Sequence, residues 1–122
     1  MRELLSGLVM FALLAGHWGA VKEHVDATSR RDAQAMGAAV TKGLANAGEI
    51  AAFLSGANPH LPKATLEGML VGHFGHHAAQ NTQLRDRKYA EEAQTWEHMR
   101  HHMDAIADAL GGGIAQQFPT RF

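Results

Sequence analysis

Apolar residues recur every three to four positions along most of this chain, and the spacing predicts four helices. The first spans about Arg2 to His24, with Met10, Leu13, Leu14, His17, Val21 and His24 on one stripe. Asp26-Ala27-Thr28-Ser29 reads as a turn with capping residues. The second helix runs from about Ser29 to Leu54, with Met36, Val40, Leu44, Ala47, Ala51 and Leu54 inward. Ser55-Gly56-Ala57-Asn58-Pro59 stops it, because glycine ends helices and proline cannot continue them. Pro62 opens a third helix that reaches about Leu84. Arg85 to Lys88 is a charged turn or a helix continuation. The fourth helix runs from about Tyr89 to Gln117, with Trp96, Met99, Met103, Ile106, Leu110 and Ile114 inward and with Gly111-Gly112-Gly113 as a weak point. Short connections favour antiparallel neighbours, so the expected fold is all-α, a single up-down-up-down four-helix bundle over residues 1–122.

Histidine placement adds chemistry to this frame. His-x-x-His-His occurs twice, at His73–His77 and at His98–His102. In a helix the outer residues of each copy are one turn apart on one face, a spacing that can clamp a transition metal. At about 100° per residue, His73 and His77 fall within roughly 20° of the stripe through Leu66 and Leu84, and His76 lies about 80° away. His98 and His102 flank the stripe of Met99, Ile106 and Leu110, and His101 points away from it. A hairpin centred in Arg85–Lys88 brings His73 level with His102 and His77 level with His98. His17, in its own apolar stripe, reaches nearly the level of His73 because the first and third helices run parallel in the expected bundle. The expected ligands are therefore His73, His77, His98 and His102, joined by His17. His76 and His101 are expected to meet solvent. Gln80, Asn81, Glu97 and Asp104 are candidates for holding the second ring nitrogens, with Gln80 nearest the inward face.

All-nitrogen ligation suits zinc, copper, nickel or cobalt. Cysteine is absent, which excludes disulfides, thiolate zinc sites, iron–sulfur clusters and covalent c-type haem. Non-covalent haem, held axially by two core histidines, is the rival cofactor, with Gly16, Gly19, Gly72 and Gly75 able to leave room for a flat ring. Neither motif copy carries the Glu-x-x-His spacing of a di-iron carboxylate site. No protease zinc motif, phosphate loop or nucleophile elbow occurs, so binding, storage or sensing is favoured over catalysis. Formal charge is −1 with neutral histidines, which gives no reason to expect nucleic acid.

The segment Leu4–Val21 carries no Asp, Glu, Lys or Arg. A small-x-small cleavage signal is missing: ending at Ala15 puts Leu13 at −3, and ending at Ala20 puts Trp18 there. A core helix is therefore favoured over a signal or a membrane segment, and a soluble, cytoplasmic protein over a membrane-associated one. So apolar a first helix also points to a homo-oligomer with this helix at the interface.

Several blocks in the later two-thirds of the chain resemble an uncharacterised bacterial helical family. They are Asn46-Ala47-Gly48-Glu49-Ile50-Ala51-Ala52-Phe53-Leu54, Ala57-Asn58-Pro59, His73, His98-Met99, Ala107-Asp108-Ala109-Leu110 and Gln117-Phe118-Pro119-Thr120-Arg121-Phe122. The resemblance covers about Gly43 to Phe122. It implies a helical bundle with a shared use for His73 and His98, and no particular reaction. His76, His77, His101 and His102 depart from the family pattern, and a first-helix histidine expected near Leu8 is missing.

Overall fold

The computed structural model describes residues 1–121. Phe122, the last position of the terminal block that carries the resemblance, lies outside the described residues. Four helices follow one another: α1 (Arg2–Ser29), α2 (Ala33–Ala57), α3 (Lys63–Arg85) and α4 (Tyr89–Gln117). Among the described residues there is no strand. The fold is all-helical, with its helices packed against one another.

The boundaries follow local chemistry. The expected turn at Asp26–Ser29 is instead the last turn of α1. Asp26 pairs with Lys22 one turn earlier, and Ser29 Oγ donates back to the Asp26 carbonyl, so these polar side chains are satisfied inside the helix. The chain stops at Arg31, whose φ of 56° is left-handed, and Asp32 then caps α2 by accepting from Ala35 N at 2.9 Å. Pro62 immediately precedes the first residue of α3. Arg87, with φ 59°, makes the second left-handed turn, between α3 and α4. The three glycines near the end of α4 do not break it. Gly113 is buried against Leu61, whose side chain occupies the space a Cβ would need.

The core is built largely from small residues. Ala20, Ala27, Ala39, Ala47 and Ala51 are buried where α1, α2 and α3 meet, and Phe74 is the largest fully buried side chain. The Phe74 ring fills the place of a Cβ at Gly43, so α2 and α3 approach closely only because that position is glycine. Ala51, Leu61 and Leu66 form a second apolar layer, flanked by Leu54, Leu70 and Leu110.

Helix packing is uneven. α1 packs on α2 and α3, and α2 packs on α3, whereas the α4 backbone comes close only to that of α3; at its end Gln117 Nε2 also donates to the Ala57 carbonyl of α2, at 3.0 Å. The α1 and α4 backbones do not pack together anywhere among the described residues. This explains why Leu14 and Met103, both expected inward, are exposed. Trp96, Ile114 and Leu44 are exposed as well.

The first half of α1 departs from a core helix. Phe11 is 72% exposed, Leu4 67% and Trp18 67%, and Leu5, Leu8 and Val9 are exposed too. From Glu3 to Ser29 the helix is long and apolar enough to cross a membrane, and very little of its most apolar stretch is buried. Apolarity predicted a helix here correctly, but among the described residues no surface covers its outer face.

Candidate metal centre

Glycine and asparagine set the inner site. Gly16 leaves space for Asn46, which would come within 3.1 Å of a Cβ there, and Asn46 Nδ2 donates to the Leu13 carbonyl at 2.9 Å. This bond fixes α1 on α2 one turn before His17. His17 then meets α3: its ring stacks on that of His73, with centroids 5.5 Å apart and planes 17° from parallel. His73 in turn meets His77 edge to face, with 4.6 Å between centroids. Nε2 of His73 and Nε2 of His77 are 3.2 Å apart. All three rings are half-buried.

Hydrogen bonding leaves this group incomplete. Neither nitrogen of His17 has a partner, nor has Nδ1 of His73, and all three atoms are buried. An unpartnered buried polar atom costs about 1–3 kcal/mol. Burial pushes the His73 imidazole down to about 4, helped by the neighbouring His77, His17, His102 and His76 rings. Burial also lowers His77. It lowers His17 against a smaller opposite pull from the Asn46 side chain, although the pair does not reach hydrogen-bond geometry. Neutral imidazoles are the form that binds metal.

The remaining histidines fall elsewhere. His102 is half-buried on α4 and packs edge to face on His76, with centroids 5.3 Å apart. His76, expected at the surface, is half-buried because α4 covers the flank of α3 that its own helix leaves open. His98 and His101 are exposed. The structure thus divides the two expected pairs. It joins His73 and His77 to His17, and it sets His102 against His76. Among the described residues no three ligating groups already converge on one point, so either group would need ring rotation to enclose an ion.

Of the side chains expected to support the site, Asp104 is exposed, and Gln80, Asn81 and Glu97 are engaged elsewhere. Gln80 is buried but donates to Glu92 at 2.7 Å, and Glu97 pairs with Arg100. Asn81 Nδ2 donates to His24 Nδ1 at 3.0 Å. Thr28 Oγ1 lies 3.3 Å from the same nitrogen, so His24, only 3% exposed, is a satisfied core histidine at the far end of α1.

The chain matches no protein-family model, and neither curated proteins nor solved structures give a match.

A cavity of about 400 Å³ adjoins the inner histidines where α1 and α4 stand apart. Leu14, Leu54, Leu70, Met103 and Leu110 line it, and His17 and His73 are the titratable groups in its wall. Periodicity could not reveal it, because it arises from how α4 sits on α3 and not from any one helix.

Proposed function

We propose that this chain, a divergent member of the bacterial family it resembles, is a transition-metal-binding helical bundle of up-down-up-down course. The ion sits at His17, His73 and His77. Contacts between successive helices support the course: Asn46 with Leu13, the Phe74 ring beside Gly43, and Gln80 with Glu92 fit alternating directions. The carrying observation is the set of unsatisfied ring nitrogens around one close pair. Two nitrogens bound to a tetrahedral ion at about 2.0–2.1 Å stand about 3.3 Å apart. The His73 and His77 Nε2 atoms are already at 3.2 Å. His17 adds a third imidazole whose nitrogens have no competing bond. Three imidazoles and an open fourth position suit zinc, copper, nickel or cobalt. Binding, storage or sensing is the reading this supports.

Calorimetric titration of Zn²⁺ into the purified chain tests it, beside His17→Gln/His73→Gln. The variant should lose the tightest ion. Unchanged stoichiometry and affinity would remove the proposal.

The apolar cavity favours a second reading, non-covalent haem seated between α1 and α4 with His17 or His73 as an axial ligand. A Soret band on adding hemin, lost in His17→Gln/His73→Gln, would establish it. The exposed apolar face of α1 supports self-association through this helix. Leu8→Glu/Phe11→Glu should lower the mass measured by light scattering from oligomer to monomer.

A further inference from the structure

The flank of α3 that faces α4 carries a second group of histidines, separate from the inner three. We infer that His76, His98 and His102 hold a second transition-metal ion, at a site open to solvent.

His102 supplies the first argument. Its Nε2 donates to the Met69 carbonyl at 2.7 Å, so Nε2 carries the proton and Nδ1 keeps a lone pair. A metal-bound imidazole characteristically anchors its other nitrogen on such a carbonyl, which fixes tautomer and ring orientation. Gly72 makes the seat: a Cβ there would come within 3.3 Å of His102 Cε1 and Nε2. Glycine therefore lets the ring lie against α3 and reach Met69.

His76 supplies the second. Its Nδ1 is buried without a partner, and its ring meets His102 at 5.3 Å between centroids and 68° between planes. A half-buried imidazole with an idle nitrogen beside a second imidazole of fixed tautomer leaves a lone pair on each ring for an ion. His98 lies one turn before His102 on the same side of α4. It is exposed, so its ring is free to rotate onto the ion, and water fills the remaining position. Imidazole and water ligation suits Zn²⁺, Cu²⁺ or Ni²⁺. Solvent access makes this ion the more exchangeable of the two.

The test is a Zn²⁺ titration of the full chain at pH 7.5, followed by calorimetry, with far-ultraviolet circular dichroism as a check on folding. His76→Gln/His102→Gln should take up one ion fewer per chain than the wild type. His98→Ala removes an exposed side chain and leaves the packing intact. It should weaken the outer ion at least by the roughly tenfold that losing a mere outer-shell hydrogen-bond partner costs. One ion per chain, lost in the His76/His102 variant and kept in His17→Gln/His73→Gln, would uphold this site while overturning the inner one. Wild-type stoichiometry and affinity in both the His76/His102 and His98 variants would overturn the outer site.

Discussion

The layer around Ala51, Leu61 and Leu66 and the layer around His17, His73 and His77 both build on α3, yet they are finished differently. In the first, apolar side chains make the layer and Gly113 yields its volume to Leu61, with the buried Asn58 side chain at its edge. In the second, imidazoles gather beside a cavity and three of their nitrogens have no partner. The first layer is optimised for stability. The second sacrifices some of it, at the imidazoles on which the proposed ion site rests.

Substitutions should separate the two. Phe74→Ala removes the largest fully buried side chain and should destabilise the chain by about 3–5 kcal/mol in urea denaturation. Leu66→Ala, in the apolar layer, should cost about 2–5 kcal/mol. A loss under about 1 kcal/mol at both positions would mean that Phe74 and Leu66 do not hold the fold.

Acid gives the next effect. His73 titrates near 4 in the fold and near 6.5 when unfolded, so the unfolded chain binds more protons between these values. Its stabilising share is complete above about pH 6.5 and disappears as the pH falls towards 4. His17, His24, His76 and His77 are lowered too and act in the same direction. Urea midpoints should therefore drop from pH 7.5 to pH 5, and His73→Gln should flatten that slope. An equal slope in the variant would show that His73 is not the group responsible.

His17→Leu reverses the usual sign of a core change. It removes two unpartnered nitrogens from a half-buried site whose cavity wall is apolar, so the metal-free protein should be unchanged or more stable by about 1 kcal/mol. Thermal melts with a chelator would check this, and a loss above about 2 kcal/mol would show that the ring serves packing. The smallest effect lies outside both layers: Asp32→Ala removes the cap of α2 and should cost about 1 kcal/mol by the same melts.

Much of this arrangement was legible in the chain. Pro59 and Pro62 marked the α2–α3 connection, although α2 runs through Gly56 to Ala57 before it ends, and the charged run from Arg85 marked the α3–α4 turn. The position of His17 along the first helix matches that of His73 along the third, and the two rings stack. His76 was misplaced because a helical wheel knows only its own helix, and α4 covers the flank it seemed to leave open. His98 was expected at the border of the interior but is exposed, because the α4 backbone comes close to that of α3 alone. The outer face of α1 failed for another reason: leucine and phenylalanine report a preference to leave water, not where the covering surface comes from.

The glycine run in α4 has a kinetic consequence. Gly111 and Gly112 touch nothing that a methyl group would disturb, and each weakens the helix by about 1 kcal/mol relative to alanine. The last turns of α4 should unwind and rewind far more often than the stretch around Met99, with amide protons exchanging correspondingly faster. Leu110, in the cavity wall, lies at the edge of that fraying segment. How quickly a guest enters or leaves the cavity would then be set by breathing at the carboxyl end of this helix, and alanine at both positions should slow the traffic.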